Sequence, residues 1–251
     1  MMSSPIPQKI DSFCTRWADA LADISEMKDK VEYISNELPS LLRAKESLVE
    51  ILCNLIKGEK YPDLRKATMF DNEFLLYADP GRSFSLRLFI WAPGEYTTIH
   101  DHNSWGVIGP ASGEMDVVNY KKKDKESDSG SVRLVETEKL RLSPGETTFT
   151  LPLDDGIHKV GNPTPEHTLS LSVYGSALPR GYINEFDITT GRVRPLFGSQ
   201  VKKKLRVIDA LPDLDRSSSE DILKHVSKDP LEVIRTASLS SLERFDQFDK
   251  V

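Results

Sequence analysis

Between Phe74 and about Leu196 the chain consists of short runs of alternating or β-branched residues, each closed by turn formers, and this stretch limits the fold more than any other feature. Leu86 to Ala92, Thr97 to His102, Glu114 to Tyr120 and Thr168 to Tyr174 are the clearest runs. A period of two over such lengths marks strands that bury one face. Roughly ten strands fit into the stretch, and that many short strands suit a sandwich-like barrel.

The flanks read differently. From about Asp11 to Lys57 the pattern is helical, most clearly where Leu41, Ala44, Leu48, Ile51, Leu52 and Leu55 recur at steps of three and four. Gly58 and Pro62 are expected to end that region. The run Lys121 to Gly130 (KKKDKESDSG) reads as an exposed hairpin loop. After Leu205 helical character returns, with Ser217 to Ser219 offering a cap before Asp221 to Val226 and Pro230 opening the next helix. The expected organisation is a helical region over 1–65 packing on a barrel over 66–200, then a helical appendage over 201–251. The fold class is mainly β.

Composition narrows the partners. With 33 Lys+Arg against 39 Asp+Glu the net charge is −6, which argues against a broad grip on nucleic acid or anionic lipid. Asp11, Arg16, Asp19, Asp23 and Glu26 interrupt any apolar core of a secretory signal, and no segment is long enough to span a bilayer. Cys14 and Cys53 form no C-x-x-C pair and no disulfide framework, so the expected compartment is the reducing cytoplasm.

His100 and His102 stand two apart in Thr97-Thr98-Ile99-His100-Asp101-His102. On a strand both imidazoles then point one way and Asp101 the other. One strand offers two metal ligands, and a mononuclear site needs a third. His158, in Gly156-Ile157-His158-Lys159-Val160, is the next histidine, and a barrel would bring its strand alongside. Of the five histidines, His167 follows Pro163 and Pro165 in an expected loop and His225 lies in the C-terminal helical region. A bare His-x-His pair also occurs where histidines face solvent or satisfy core hydrogen bonds, so its neighbours decide its meaning.

Those neighbours resemble the two cupin motifs. Gly94, five residues and then His-x-His match the start of the first motif, and Gly113 stands at its closing glycine. Where many cupins carry a glutamate ligand, this chain has Gly106. In the second motif His158, Asn162 and Pro152 fit, while the usual glycine before the histidine is displaced to Gly156. More narrowly, Trp91-Ala92-Pro93-Gly94, the run His100 to Gly109 (HDHNSWGVIG), His158 to Pro163 (HKVGNP) and Ser170 to Gly175 (SLSVYG) resemble the cysteine dioxygenase superfamily, especially its bacterial thiol dioxygenase branch. The likeness covers about Phe74 to Asp187.

The resemblance implies a cupin jelly-roll barrel with one non-haem Fe(II) per chain on His100, His102 and His158. It further implies oxidation of a small thiol, cysteine or 3-mercaptopropionate, to its sulfinic acid with O2. Three neutral imidazoles leave the metal its full +2 charge, which favours an anionic thiolate as a further ligand. Tyr174 and Ser170 match catalytic positions of the family pattern Ser-x-His-x-Tyr, but Ser172 stands where the histidine belongs. A serine hydroxyl takes no proton near neutral pH, so a proton relay through the tyrosine would need water or be lost. Val107 occupies the place of the cysteine that cross-links to the tyrosine in animal members. A substrate carboxylate calls for an arginine, and Arg180 and Arg87 are the candidates, with surface ion pairing as the alternative role for both.

Two other functions fit the same residues. A metal-binding cupin without dioxygenase chemistry, serving as a sensor or binding protein, is supported by Ser172. A three-histidine zinc enzyme activating water would need a general base, for which only Glu95 and Glu114 flank the first motif.

Overall fold

Eleven strands follow three helices in the computed structural model, which describes residues 6–57, 68–123, 132–213 and 216–248. The expected ends of the first helical region at Gly58 and Pro62, and most of the polar run up to Gly130, lie outside the described residues. The chain divides into two units, Met1–Ala177 with Asn184–Arg194, and Leu178–Ile183 with Pro195–Val251.

In the first unit, α1 (Gln8–Asp23), α2 (Met27–Leu42) and α3 (Lys45–Lys57) replace the single helical texture of the sequence. The period of Leu41, Ala44 and Leu48 runs straight across the break at Arg43 and Ala44. Neither that break nor the one at Ile24 to Glu26 carries a glycine or proline to announce it. The apolar stripe of α1 (Ile10, Cys14, Trp17, Leu21) and that of α2 (Val31, Ile34, Leu38, Leu41, Leu42) are buried in one shared core. The strand residues Phe84, Leu86, Leu88, Val107, Leu171 and Val173 complete it.

The strands are β1 (Glu73–Ala78), β2 (Phe84–Trp91), β3 (Ile99–His100), β4 (Gly106–Ser112), β5 (Met115–Lys122), β6 (Leu134–Leu142), β7 (Thr148–Thr150), β8 (His158–Gly161), β9 (Thr168–Gly175), β10 (Ile183–Phe186) and β11 (Val193–Leu196). They form two sheets, in the orders β1-β2-β9-β4-β7 and β11-β10-β3-β8-β5-β6. From β2 to β5 and from β6 to β10 each successive strand passes to the other sheet, and the registered pairs are antiparallel. This is the double-stranded β-helix of a cupin-type jelly roll, the expected fold. Period-two alternation assigns the faces of β2. Phe84, Leu86 and Leu88 pack with the helices, while Phe89 and Trp91 join Ile108, Met115, Val117, Leu142 and Val160 in a second core between the sheets.

The second unit contains α4 (Ser199–Ala210), α5 (Arg216–Val226) and α6 (Glu232–Phe248) around Ile208, Leu223 and Ile234. The serines expected as a cap, Ser217 to Ser219, fall within α5, which is described from Arg216. The Ser219 hydroxyl donates instead to the Leu211 carbonyl at 2.7 Å. Pro230 stands two residues before α6, as its fixed φ suits. Among the described residues no helix is long and apolar enough to cross a membrane.

On the second sheet, Asp116 accepts from Arg141 Nε at 2.8 Å and Nη2 at 3.2 Å and from the Tyr96 hydroxyl at 3.1 Å. The Arg141 hydrogen bonds hold its carboxyl below the usual carboxylate range. A depressed folded-state pKa stabilises the fold above the unfolded value of about 4, and that contribution fades as pH falls through the folded value. Asp116→Asn should therefore cost stability at pH 7, and the gap from the native chain should narrow on acidification, in urea unfolding followed at several pH values. In the helix–sheet core, Leu38→Ala should cost about 2–5 kcal/mol by the same measurement.

Candidate metal centre

His100 ends β3 directly opposite His158, the first residue of β8, in an antiparallel register. His102 lies just beyond β3, where its carbonyl accepts the Leu153 N–H at 2.8 Å. The strand expected over Thr97 to His102 is thus shortened, because the chain on the β8 side coils into a 3-10 turn, Leu153–Gly156, and offers no ladder partner. The alternation of side chains survives. Asp101, fully buried, turns away from the two imidazoles and accepts the Asn184 N–H at 2.7 Å and its side-chain amide at 2.8 Å. That clamp fixes the backbone between the two histidines.

The three rings converge, with centroids 4.9 Å apart for His100 and His102, 5.0 Å for His100 and His158 and 4.6 Å for His102 and His158. Their candidate ligand atoms lie within 4.8 Å of one another, and the Nε2 atoms of His102 and His158 are 2.9 Å apart. Bonds of about 2.0–2.1 Å from nitrogens so close can meet at one ion. His100 Nδ1 donates to the Thr98 carbonyl at 2.9 Å, which fixes the tautomer and leaves Nε2 free as a ligand. Burial pushes all three imidazoles below the ordinary histidine range, and for His102 and His158 the neighbouring histidines push further in the same direction. The site is therefore three neutral donors, a set that fits iron or zinc.

Tyr174 stacks on His102 at 5.9 Å and 23°. Gly106, directly opposite it on β4, makes this fit possible, since a Cβ there would stand 2.7 Å from the Tyr174 ring. The side-chain space at Gly106, the position that the motif resemblance aligns with a glutamate ligand, is taken by the Tyr174 ring. One residue pair further along the same register the arrangement reverses. A Cβ on Gly175 would meet the Trp105 indole at 2.1 Å, so Trp105 lies over Gly175 as Tyr174 lies over Gly106. The Trp105-Gly106 and Tyr174-Gly175 dipeptides are one interlocked unit.

Burial raises the Tyr174 hydroxyl to about 12, so it stays protonated at neutral pH. Ser172, on the same face of β9, is fully buried; its hydroxyl makes no close hydrogen bond among the described residues but interacts with the Tyr174 hydroxyl, which partly offsets the effect of burial there. Ser170 shares that face, but its hydroxyl accepts from Trp91 Nε1 at 2.9 Å.

Arg87 lies across the ladder from Ser172, and its guanidinium carbon sits 5.5 Å over the Tyr174 ring. It is ion-paired to Glu73, whose side chain is 2 % exposed. Arg180 belongs to the second unit, where its Nε donates to the Tyr182 carbonyl at 2.9 Å and its guanidinium covers the Tyr182 ring. Glu95 accepts the Ala92 N–H at 2.7 Å in its own turn, and Glu114 is paired with Arg141 at 3.9 Å. Two residues of the site were not read from the sequence. Glu73 is one, and Phe70 is the other, its ring 5.8 Å from that of His100.

No protein-family model matches the chain. Among solved structures, a Cupin 2 conserved barrel domain protein from Salinispora arenicola is 17% identical, covering 44% of this chain and 81% of its own with a TM-score of 0.32. A cupin superfamily protein from Desulfitobacterium hafniense is 14% identical over 41% of this chain and 74% of its own, TM-score 0.29. An uncharacterized conserved protein with a double-stranded β-helix domain from Klebsiella pneumoniae is 16% identical over 42% and 76%, TM-score 0.31. These are likenesses to cupin-type proteins; the fold assignment rests on the strand order above.

Replacing His100, His102 or His158 singly by alanine should take bound metal from about one ion per chain to well below it, a loss of 10-fold or more in affinity, read by elemental analysis after dialysis. Gly106→Ala should push the Tyr174 ring off His102 and cost about 1–3 kcal/mol, read by unfolding.

Proposed function

We propose that this protein is an Fe(II)-dependent thiol dioxygenase that converts a small thiol, of the size of cysteine or 3-mercaptopropionate, to its sulfinic acid. The observation that carries the reading is the all-imidazole donor set, with the Tyr174 ring in the place of a carboxylate ligand. His100, His102 and His158 would hold Fe(II), which would supply a cationic centre suited to a thiolate and to O2 chemistry. The overall change is RSH + O2 → RSO2H. Both oxygen atoms go to sulfur, whose four-electron oxidation balances the four-electron reduction of O2, so no external reductant is required.

The chain's own residues supply the setting. The neutral, buried imidazoles leave the cationic charge of the metal uncompensated, which favours an anionic sulfur. Tyr174, protonated and stacked on His102, is a hydrogen-bond donor at the edge of the site. Ser172 beside it can accept or pass on a hydrogen bond but cannot hold a proton, so the relay that a histidine would provide ends at the serine. Ser170 is committed to Trp91 and acts by fixing the strand.

Ser172 also favours a second reading, a metal-binding cupin that holds a thiol without oxidising it. A zinc hydrolase gains no support, since Glu95 and Glu114 are engaged at their own turns and strands.

Iron-loaded protein in an oxygen electrode should consume one O2 per thiol and yield sulfinate, and Tyr174→Phe should slow this by about 100-fold. Thiol binding that perturbs the iron spectrum with no O2 uptake would establish the second reading instead.

A further inference from the structure

Glu73 opens β1 with its carboxylate almost wholly out of solvent, and that carboxylate holds two groups that adjoin the metal-site residues. One oxygen accepts the N–H groups of Met69 at 3.0 Å and Phe70 at 3.2 Å, holding the segment that packs the Phe70 ring on His100. The other oxygen takes Nη1 of Arg87. The Arg87 Nε donates to Ser85 Oγ at 3.3 Å, so the guanidinium is held over Tyr174, the ring that stacks on His102. A carboxylate and a guanidinium from neighbouring strands thus adjoin the histidine cluster as one ion pair, through Phe70 and Tyr174.

A guanidinium at that place is the natural receptor for the carboxylate of a thiol acid. Here its countercharge is already built in. An incoming carboxylate would have to take the guanidinium from Glu73, stranding a buried anion, or bind beside it against like charge in a site of low polarisability. A thiol whose far end is uncharged or cationic meets neither penalty, and a cationic end gains from Glu73.

We propose that Glu73 is a specificity-determining residue. By occupying Arg87 it makes the site select thiols without a free carboxylate over thiol acids. This rests on the thiol reading above and narrows it.

The test compares 3-mercaptopropionate with its methyl ester, which differ in the carboxylate charge and hardly in size. Calorimetric titration into iron-loaded protein under argon measures binding apart from turnover. The native protein should bind the ester at least 10-fold more tightly than the acid, and Glu73→Gln, which keeps the shape and an acceptor oxygen, should bring the acid level with the ester or ahead of it. An acid bound as tightly as the ester by the native protein overturns the proposal without any variant. So does an unchanged ratio in a folded Glu73→Gln protein. If the native protein binds neither compound while retaining its iron, the thiol reading itself fails and takes the proposal with it. Thiol binding without the expected preference leaves that reading standing.

Discussion

The pairing of β3 with β8 is the constraint on which the rest depends. It is very short, and its register sets His100 against His158, from segments nearly sixty positions apart. Both strands lie inside the six-stranded sheet, between β10 and β5, so their register is held from outside as well as between themselves. Asp101 anchors the other edge through Asn184, and the Leu153 N–H caps the chain where it leaves the strand at His102. A slip of one residue would turn the imidazoles to the opposite face and bury Asp101 among them. The desolvation that lowers the histidine pKa values is the cost of this placement, and a bound cation would offset it.

The five-stranded sheet does a different job. Its outer face is covered by the helical core, and its inner face carries Arg87, Ser172 and Tyr174 toward the histidines. Because both faces are buried, the inward polar groups must find partners within the barrel, and most do. Glu73 meets Arg87, and Ser170 meets Trp91. Ser172 is less well satisfied, a buried hydroxyl with no close hydrogen bond among the described residues whose interaction is with the protonated Tyr174 phenol beside it.

Much of this was legible in the sequence, for identifiable reasons. Period two in the strands and the spacing of His-x-His are local signals, and they placed the barrel and both His100 and His102 on one side of Asp101. Gly106 was legible as a missing carboxylate but not as the bed of the Tyr174 ring, since that depends on the register between β4 and β9. The Glu73–Arg87 pair was hidden for the same reason. A register shift between Leu75 and Tyr77 in β1 separates any counting along the hairpin from the contacts it makes. The helix breaks near Ile24 and Arg43 carry no punctuating residue, and the heptad-like spacing ran across one of them.

The central proposal is that the three imidazoles, without a protein carboxylate, hold one metal to which a thiol sulfur binds. X-ray absorption at the iron edge tests it most directly. The account predicts scattering from three imidazole rings in the resting protein and a new sulfur neighbour when a thiol ester is added under argon. Two or fewer imidazoles, or no sulfur in the coordination shell at saturating thiol, would contradict it.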